Sequence, residues 1–233
     1  MADTNGVSLI DSYQSDSPVG TEFLRLYHGI KSKEPRETAE SFLITSATLG
    51  EGKSTTAAMF AITMAKLKKK TLLIDCDMRR PSIHKLLGLY LEEGMTEICD
   101  GSLAVARAYK ETKLPHLSVI TAGRLGRNPT EYFEDGHVSK VLHQSKPKFE
   151  FIVVDCAPVM PVVDPIVIAP DVTGVVMVVK AGETHRDLVK QATELITSTG
   201  ANMMGVILNN MKDVLPYQYS YRYSYQYYTN GEG

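Results

Sequence analysis

Short apolar runs alternate along the chain with longer segments in which apolar residues recur every three or four positions. The runs predict strands at residues 41–45, 71–74, 117–121, 149–154, 174–179 and 206–208. Helical spacing predicts helices at residues 22–31, 55–67 and 186–199. Several of the strands are continuously apolar, which is typical of strands that are buried on both faces. The pattern therefore predicts an α/β fold in which a mostly parallel sheet has helices on both faces.

Weaker signals fill the rest of the chain. A short helix is expected after Pro81, and the segment from there to Leu114 has only weak helical patterning. Asn128 and Pro129 predict a further helix start, with Asn as the cap and Pro at the first helical position. Residues 1–20 are polar and are expected to be a flexible N-terminal segment. The predicted organisation is thus a core domain at residues 21–215, followed by a distinct tail at residues 216–233.

Residues 46–55 read S-A-T-L-G-E-G-K-S-T and lie between the first predicted strand and the first long helix. Glycines at two positions let the backbone turn tightly and bring several N–H groups onto one anion, and the helix N-terminus adds its positive dipole end. In such a phosphate-binding loop, Lys53 reaches the β- and γ-phosphates and Ser54 places its hydroxyl on a magnesium ion. The predicted ATP-binding residues are Gly50, Glu51, Gly52, Lys53, Ser54 and Thr55.

This loop departs from the strict phosphate-loop pattern at one position. Ala47 stands where the first glycine is normally found. The alternative is a glycine-containing loop before an ordinary helix. Acidic residues at two later strand ends favour the nucleotide interpretation, because the carboxyl ends of parallel strands meet at one edge of the sheet, where ligands bind.

Asp155 follows the apolar run F-I-V-V, and Asp75 and Asp77 follow the run at residues 71–74. Magnesium needs only one or two carboxylates besides the phosphates and a hydroxyl, and Asp155 supplies one. Side chains alternate along a strand, so Asp75 and Asp77 are expected to point the same way. A carboxylate beyond the needs of magnesium could accept the proton of an attacking hydroxyl. The structural alternatives are a loop cap for Asp155, a helix cap for Asp77 and an ion pair of Asp75 with Arg79.

The composition limits the classes of partner. The formal net charge is -2 and both signs are mixed along the chain, so nucleic acid is not an expected partner. No apolar run approaches the roughly 20 residues that span a bilayer, and no signal peptide begins the chain, which predicts a cytoplasmic protein. The three widely spaced cysteines, Cys76, Cys99 and Cys156, are expected to be reduced and to act as small apolar fillers.

The tail contains seven tyrosines between residues 217 and 228. Their alternation with polar residues fits either an edge strand with one aromatic face or a mobile tail, and the residues alone do not choose between the two. Next to a triphosphate site, tyrosine hydroxyls are natural phosphoryl acceptors, and each phosphate adds roughly -1.5 to -2 charges. The predicted acceptors are Tyr217, Tyr219, Tyr221, Tyr223, Tyr225, Tyr227 and Tyr228.

Four segments together resemble the cytoplasmic domain of bacterial protein-tyrosine kinases, which are built on a phosphate loop. They are A-T-L-G-E-G-K-S-T, L-L-I-D-C-D-M-R-R-P, F-I-V-V-D-C-A-P and the tyrosine cluster. The resemblance implies a catalytic set of Asp75, Lys53 and Asp77, in which Asp75 accepts the proton. It also implies a magnesium set of Ser54, Asp77 and Asp155. The implied reaction is ATP- and Mg²⁺-dependent autophosphorylation of the tail. Because a tail that begins near Tyr217, past the final strand, is expected to be mobile enough to leave its own domain, we expect transfer between subunits.

The resemblance also implies partners. Members of the family carry an E-x-x-R-x-x-R motif that assembles subunits into a ring, and here Glu22 and Arg25 match it while His28 replaces the second arginine. From the residues alone, this helix is equally a docked surface helix with a solvated charge stripe. The family works with a membrane protein that controls polysaccharide chain length and export. We therefore expect the protein at the inner face of the membrane, held there by a separate partner.

Two further expectations concern an arginine pair and a rival family. Arg79 and Arg80 directly follow the paired aspartates and are expected to contact an activator or a neighbouring subunit. The rival is the related family of partitioning and cell-division ATPases, which are switches without kinase activity. Those proteins carry an additional lysine near the start of the loop, where this chain has Thr48. They also lack the D-x-D-x-R-R-P segment and the tyrosine tail.

Overall fold

A computed structural model describes residues 8–30, 39–124, 129–133 and 136–210 of the chain. Within this part, seven strands form one sheet in the order β3-β4-β2-β5-β1-β6-β7. The strands are β1 (Glu40–Ser46), β2 (Thr71–Asp75), β3 (Lys110–Glu111), β4 (Leu117–Ile120), β5 (Phe151–Asp155), β6 (Gly174–Lys180) and β7 (Met203–Asn209). All neighbouring strands are parallel except β3 and β4. The predicted mostly parallel α/β sheet is confirmed.

Helices connect these strands, and two 3₁₀ turns accompany them at Pro129–Tyr132 and Ala169–Asp171. The helices are α1 (Leu9–Ser12), α2 (Pro18–Ile30), α3 (Lys53–Lys66), α4 (Ile83–Leu87), α5 (Met95–Cys99), α6 (Val105–Ala108), α7 (His137–Ser145), α8 (Asp164–Ile168) and α9 (Arg186–Ser198). No helix of the described residues is long and apolar enough to cross a membrane.

Successive residues of the central strands face opposite sides of the sheet and enter two separate cores. Phe42 and Ile44 of β1 pack with α1–α4, whereas Leu43 packs with residues of α5–α9. In β5, Val153 belongs to the first core and Val154 to the second. This division confirms that helices cover both faces, and it explains why the central strands are continuously apolar. None of the three cysteines forms a disulfide among the described residues, and all three are buried in the second core, as expected of small apolar fillers.

The N-terminal boundary was predicted wrongly for the residues that the structure describes. Residues 8–20 are not loose: α1 occupies part of them, and Ile10 and Tyr13 are buried against α3. The Tyr13 hydroxyl hydrogen-bonds the Thr63 hydroxyl at 2.6 Å. The following helix also begins earlier than predicted, at Pro18, because the Ser17 hydroxyl accepts the Gly20 N–H. The burial of Ile10 and Tyr13 thus holds an otherwise polar segment against the core.

The helix predicted from Pro129 is also a correction. Residues 129–132 form a single 3₁₀ turn that buries Pro129 and Tyr132, and the α-helix begins only at His137. Gly136, in a left-handed conformation with φ of 67°, precedes that helix. Asn128 lies outside the described residues. The Asn-Pro signal thus marked a turn, while the helix start came from a glycine seven residues later.

The parallel register brings three polar strand ends together at one edge. Ile44 of β1 pairs with Asp155 of β5, and Asp155 pairs with Asp75 of β2. The phosphate loop leaves β1 two residues after Ile44, at the same edge. Loop, Asp155 and Asp75 therefore lie side by side, as the strand order predicted.

Candidate active site

The loop between β1 and α3 has the backbone geometry of an anion-binding turn. Gly50 and Gly52 have φ of 77° and 89°, a region that side chains other than glycine rarely adopt. Among the described residues no side chain caps α3, so its first N–H groups remain available to an anion. Ala47, the departure from the strict pattern, is fully buried in the core, where its methyl group is accommodated.

Lys53 begins α3 and reaches back over the strand ends. Its Nζ donates to Asp77 Oδ2 at 2.6 Å and to the Ser54 hydroxyl at 3.2 Å. Burial alone would lower the pKa of Lys53, but the carboxylates of Asp155 and Asp77 together outweigh burial and raise that pKa. The ammonium group is therefore a fixed positive charge at the edge of the sheet.

Asp155 ends β5 and is fully buried. Neither of its carboxylate oxygens has a hydrogen-bond partner within the described part of the chain. Burial raises the pKa of Asp155 to about 7. The Lys53 ammonium and the nearby Ser54 hydroxyl both act to lower this pKa, but burial outweighs them. The Ser54 hydroxyl lies close to the carboxylate without forming a hydrogen bond to it. A buried carboxylate without partners is costly, and such groups are usually found where a cation completes them.

Asp75 ends β2 and is equally buried, but its oxygens are engaged. Oδ1 accepts the Asp77 N–H at 3.1 Å, and Oδ2 accepts the N–H groups of Ser82 and Ile83 at 3.2 and 3.1 Å. Burial, followed by the negative charge of Asp155, raises the pKa of Asp75 well above its usual range despite these donors. Asp75, rather than Asp77, supplies the oxygen for the start of α4, and it is not paired with Arg79.

Asp77 lies beyond the end of β2, so strand alternation does not determine where its side chain points. A turn brings it into place: its Oδ1 accepts the Arg80 N–H at 3.0 Å and its Oδ2 holds Lys53. Both aspartates of the pair are buried, with exposed fractions of 0% and 2%. Asp75 reaches the site from the end of β2, whereas Asp77 reaches it from the turn that follows.

The remaining residues of the predicted ATP-binding set are at the loop but in different environments. Ser54 lies beside Lys53 and Asp155, whereas Thr55 is exposed on the first turn of α3. Glu51 is buried, and its carboxylate accepts hydrogen bonds from Thr48 and Thr184 of the protein itself. The Glu51 side chain is therefore engaged within the protein, and a contact of Glu51 with ATP stays a prediction.

Arg79 has a structural role that the sequence did not reveal. Its Nε donates to Asp164 Oδ2 at 3.3 Å and its Nη2 to the Thr130 hydroxyl at 2.7 Å. Asp164, at the start of α8, is buried with an exposed fraction of 1%. Arg79 is therefore held within its own chain, and its expected contact with an activator or a neighbouring subunit stays a prediction. Arg80 is exposed, and a contact with a partner stays a prediction for it.

The structure describes the predicted oligomerisation pair but not the predicted phosphoryl acceptors. Glu22 and Arg25 are exposed on α2 and form an ion pair with each other, and His28 is exposed one turn later. The seven tyrosines of the tail lie outside the described residues, so their role stays a prediction.

Three residues of the site region were missed by sequence reasoning. They are Asp164, Thr184 and Asn209. Asp164 precedes a proline at a helix start, a signal that was present in the sequence. Asn209 ends β7, and its Nδ2 donates to the Glu51 carbonyl at 3.0 Å. A polar residue at the carboxyl end of a strand was a usable signal, but nothing in the sequence marked Thr184.

The site is not a metal centre built from protein side chains alone. Within the described ranges, no cluster of three or more His, Cys, Asp or Glu side chains is arranged to hold a metal ion. This agrees with a magnesium site that relies on phosphate oxygens and a hydroxyl for most of its ligands.

Comparisons with known proteins converge on one group. The model of the CobQ/CobB/MinD/ParA nucleotide binding domain matches residues 42–219. A Staphylococcus aureus protein, the putative tyrosine-protein kinase CapB, is 33% identical over 203 residues, which cover 85% of this chain and 89% of that protein. Tyrosine-protein kinase YwqD of Bacillus subtilis (strain 168) is 30% identical over 78% of this chain and 77% of its own length. The solved structure of the chimerical protein CapA2B2 superposes with a TM-score of 0.77 at 32% identity, covering 86% of this chain and 88% of that one.

Proposed function

The chain is a protein-tyrosine kinase that belongs to the bacterial family built on the MinD/ParA type of nucleotide-binding domain, and on that premise we propose that it phosphorylates its own tyrosine tail with ATP. The observation that carries the proposal is the buried carboxylate of Asp155. It has no partner among the described residues and lies beside the loop lysine.

The residues present fit a magnesium ion together with ATP. Asp155 offers two free oxygens, Ser54 offers a hydroxyl next to it, and Asp77 offers a third carboxylate oxygen close to Lys53. These hard oxygen donors are the ligands that magnesium prefers. A bound magnesium ion would neutralise charge on the β- and γ-phosphate oxygens. The loop N–H groups and the start of α3 would hold the phosphates themselves.

Lys53 changes partner in this proposal. Its ammonium donates to Asp77 at 2.6 Å, and the same group is the expected ligand of the β- and γ-phosphates. When ATP enters, Lys53 releases the Asp77 carboxylate, which then becomes available to the metal. The exchange keeps the Lys53 ammonium paired with a negative charge before and after binding, which lowers its cost.

Asp75 is the proposed proton acceptor. A carboxylate has about four lone-pair sites, and three of them accept backbone N–H groups, which leaves one for an incoming hydroxyl or one intervening water. The tyrosine oxygen forms a bond to the γ-phosphorus, and the bond from that phosphorus to the bridging oxygen of ADP breaks. The phenolic proton passes to the remaining lone pair of the Asp75 carboxylate.

The acceptors and partners in this proposal follow the resemblance. The tail tyrosines Tyr217 to Tyr228 of one subunit enter the site of the next, and the helix with Glu22 and Arg25 builds the homo-oligomer. Accumulated negative charge on the tail would then oppose its return to a site lined by Asp75 and Asp77. The kinase acts at the inner face of the membrane with a membrane partner, in the synthesis and export of an extracellular polysaccharide.

The decisive experiment is mass spectrometry of the purified protein after incubation with magnesium and ATP. Phosphate on the tail tyrosines of the wild type is expected, and Lys53→Met is expected to abolish it while circular dichroism stays unchanged. The reason is that methionine keeps an unbranched side chain of similar size but removes the charge. A mutant that labels at the wild-type rate would refute the site, and ATP hydrolysis without tyrosine labelling would favour the switch ATPases.

Transfer between subunits needs a separate mixing experiment. A Lys53→Met subunit that retains its tail is combined with an active subunit truncated after Pro216, and ATP is added. Phosphate on the inactive subunit is expected. If that subunit stays unlabelled while the intact wild type labels at a rate independent of its concentration, transfer occurs within one chain.

A further inference from the structure

Glu51 is electrostatically out of place in a loop that binds phosphates. It lies two residues before Lys53, and its side chain is 2% exposed. A carboxylate buried beside a triphosphate would repel the triphosphate. We therefore expect the Glu51 side chain to have a structural role that offsets this repulsion. The contacts of the side chain supply that role.

Each oxygen of the Glu51 carboxylate has protein partners. Oε2 accepts the Thr48 N–H at 2.6 Å, which closes the loop on itself. Oε1 accepts the hydroxyl of Thr184 and, at 3.4 Å, the N–H of Lys180. Lys180 ends β6 and Thr184 lies in the connection from β6 to α9, so the Glu51 side chain joins the loop to this connection.

The backbone of the same residue makes a second attachment. The Glu51 carbonyl accepts Asn209 Nδ2 at 3.0 Å, and the Asn209 carbonyl accepts the Ala181 N–H at 2.9 Å. A Cβ on Gly52 would lie 2.2 Å from Asn209 Nδ2, which shows that the loop backbone packs closely on the side chain at the end of β7. Loop, β6–α9 connection and β7 therefore form one hydrogen-bonded unit.

We propose that Glu51 is a positioning residue: its carboxylate anchors the phosphate loop to Thr184 and so holds the loop N–H groups ready for the phosphates of ATP. The proposal rests on the proposed function, because it assumes that the loop binds ATP. It assigns no contact between the Glu51 side chain and ATP, since both oxygens already accept hydrogen bonds. An ordered loop does not pay the cost of ordering when the nucleotide arrives.

The test uses the full chain and measures the dissociation constant of ATP together with KM and kcat for autophosphorylation. Thr184→Val keeps the shape of the side chain and removes the hydroxyl donor. It is expected to weaken ATP binding and raise KM by roughly ten-fold, the factor for one hydrogen bond to a charged group. At saturating ATP, kcat should stay within about two-fold, because a pre-ordered loop acts on binding.

Two companion variants separate this role from a general loss of stability. Thr184→Ser restores the hydroxyl and should return KM to within about two-fold of wild type. Glu183→Gln removes an exposed carboxylate from the same connection, whose partner is Lys180, and should leave KM unchanged. A Thr184→Ser variant as weak as Thr184→Val would overturn the proposal, because the hydroxyl would then be irrelevant.

A double-variant cycle tests whether the two residues act through one bond. Glu51→Gln should weaken ATP binding at least ten-fold, and adding Thr184→Val to it should cost roughly nothing more. Losses that simply multiply, or a kcat that falls while KM stays constant, would contradict the anchor. If Glu51→Gln does not fold, the Thr184 pair still decides the question. A wild type that binds no ATP would refute the proposed function instead, whereas wild-type binding with an unchanged Thr184→Val would refute the anchor alone.

Discussion

The ends of β2 and β5 make an instructive pair. Both strands are apolar and both end in an aspartate that is fully buried, and Asp75 and Asp155 are direct neighbours in the parallel register. Asp75 accepts three backbone N–H groups. Asp155 accepts none among the described residues. The same sequence feature, an aspartate at the end of an apolar strand, therefore gives one carboxylate with hydrogen-bond partners and one without them among the described residues.

The difference comes from the residues that follow each strand. After β2 the chain turns at residues 78–80, so that the N–H groups of Ser82 and Ile83, at the start of α4, reach Asp75. After β5 the chain continues alongside β1, and its N–H groups are used there: Cys156 donates to the Ile44 carbonyl and Val159 to the Ser46 carbonyl. Within the part of the chain that the structure describes, no donor returns to the Asp155 carboxylate. The lesson is that a strand-end aspartate marks a site, while the path of the next few residues decides whether it binds the backbone or a ligand.

The largest expected effect distinguishes the two carboxylates in catalysis. Asp75→Asn should lower the rate of phosphorylation by roughly 10²- to 10⁴-fold, the usual range for a positioned acid or base, with little change in ATP affinity. Rapid-mixing measurements at saturating magnesium and ATP give the rate, and titration of a fluorescent ATP analogue gives the affinity. A large loss of affinity with near-normal turnover would make Asp75 a binding residue and erase the contrast.

Asp155→Asn should mainly reduce the affinity for ATP and magnesium, in contrast to Asp75→Asn, which should mainly reduce the rate. Removing the unpartnered charge should weaken magnesium-dependent ATP binding by roughly 10- to 100-fold, as expected for a lost ligand or its close support. Affinity for ATP in the presence of a chelator should change little. Titration calorimetry with and without magnesium measures both values. Equal losses in the two conditions would show that Asp155 does not serve the ion.

The same two variants should move stability in opposite directions. Above pH 7, where its carboxyl group is ionised, Asp155→Asn removes a buried charge that lacks hydrogen-bond partners and should raise the free energy of unfolding by about 1–3 kcal/mol. Asp75→Asn places an amide group against backbone N–H donors and should lower it by about 1–3 kcal/mol. Urea unfolding monitored by circular dichroism measures both. A shift of the same sign in both variants would mean that the hydrogen-bond difference has no energetic consequence.

The smallest expected effect is a difference in pH dependence. The pKa of Asp155 is about 7 in the folded protein and about 4 when unfolded. The folded state therefore holds a proton that the unfolded state has lost, and the stability from this group declines as pH rises from about 4 to 7. Between pH 5 and 7.5 the wild type should lose roughly 5 °C of Tm relative to Asp155→Asn. The comparison with the variant also removes the opposite contribution of His84, whose pKa is lowered by burial.

Sequence reasoning recovered the parts of this molecule that depend on periodicity and on strand ends. It found the core strands, the loop, Lys53 and the three aspartates, because apolar runs and parallel register dictate them. It did not find which carboxylate is satisfied, because that depends on N–H groups up to eight residues later, at Ile83. It also missed Thr184, since no local pattern shows that Glu51 will meet a residue more than a hundred positions away.

Strand β1 has a consequence for how the protein is made. Its neighbours are β5 and β6, so Phe42 pairs with Val153 and with Gly174, more than a hundred residues further along the chain. On the ribosome, the nucleotide loop is therefore among the first core segments synthesised and among the last to acquire both flanking strands. A nascent chain that ends before Lys180 has every loop residue but not the sheet that shapes it. A ligand of this loop can therefore stabilise the fold only after β6 has been synthesised.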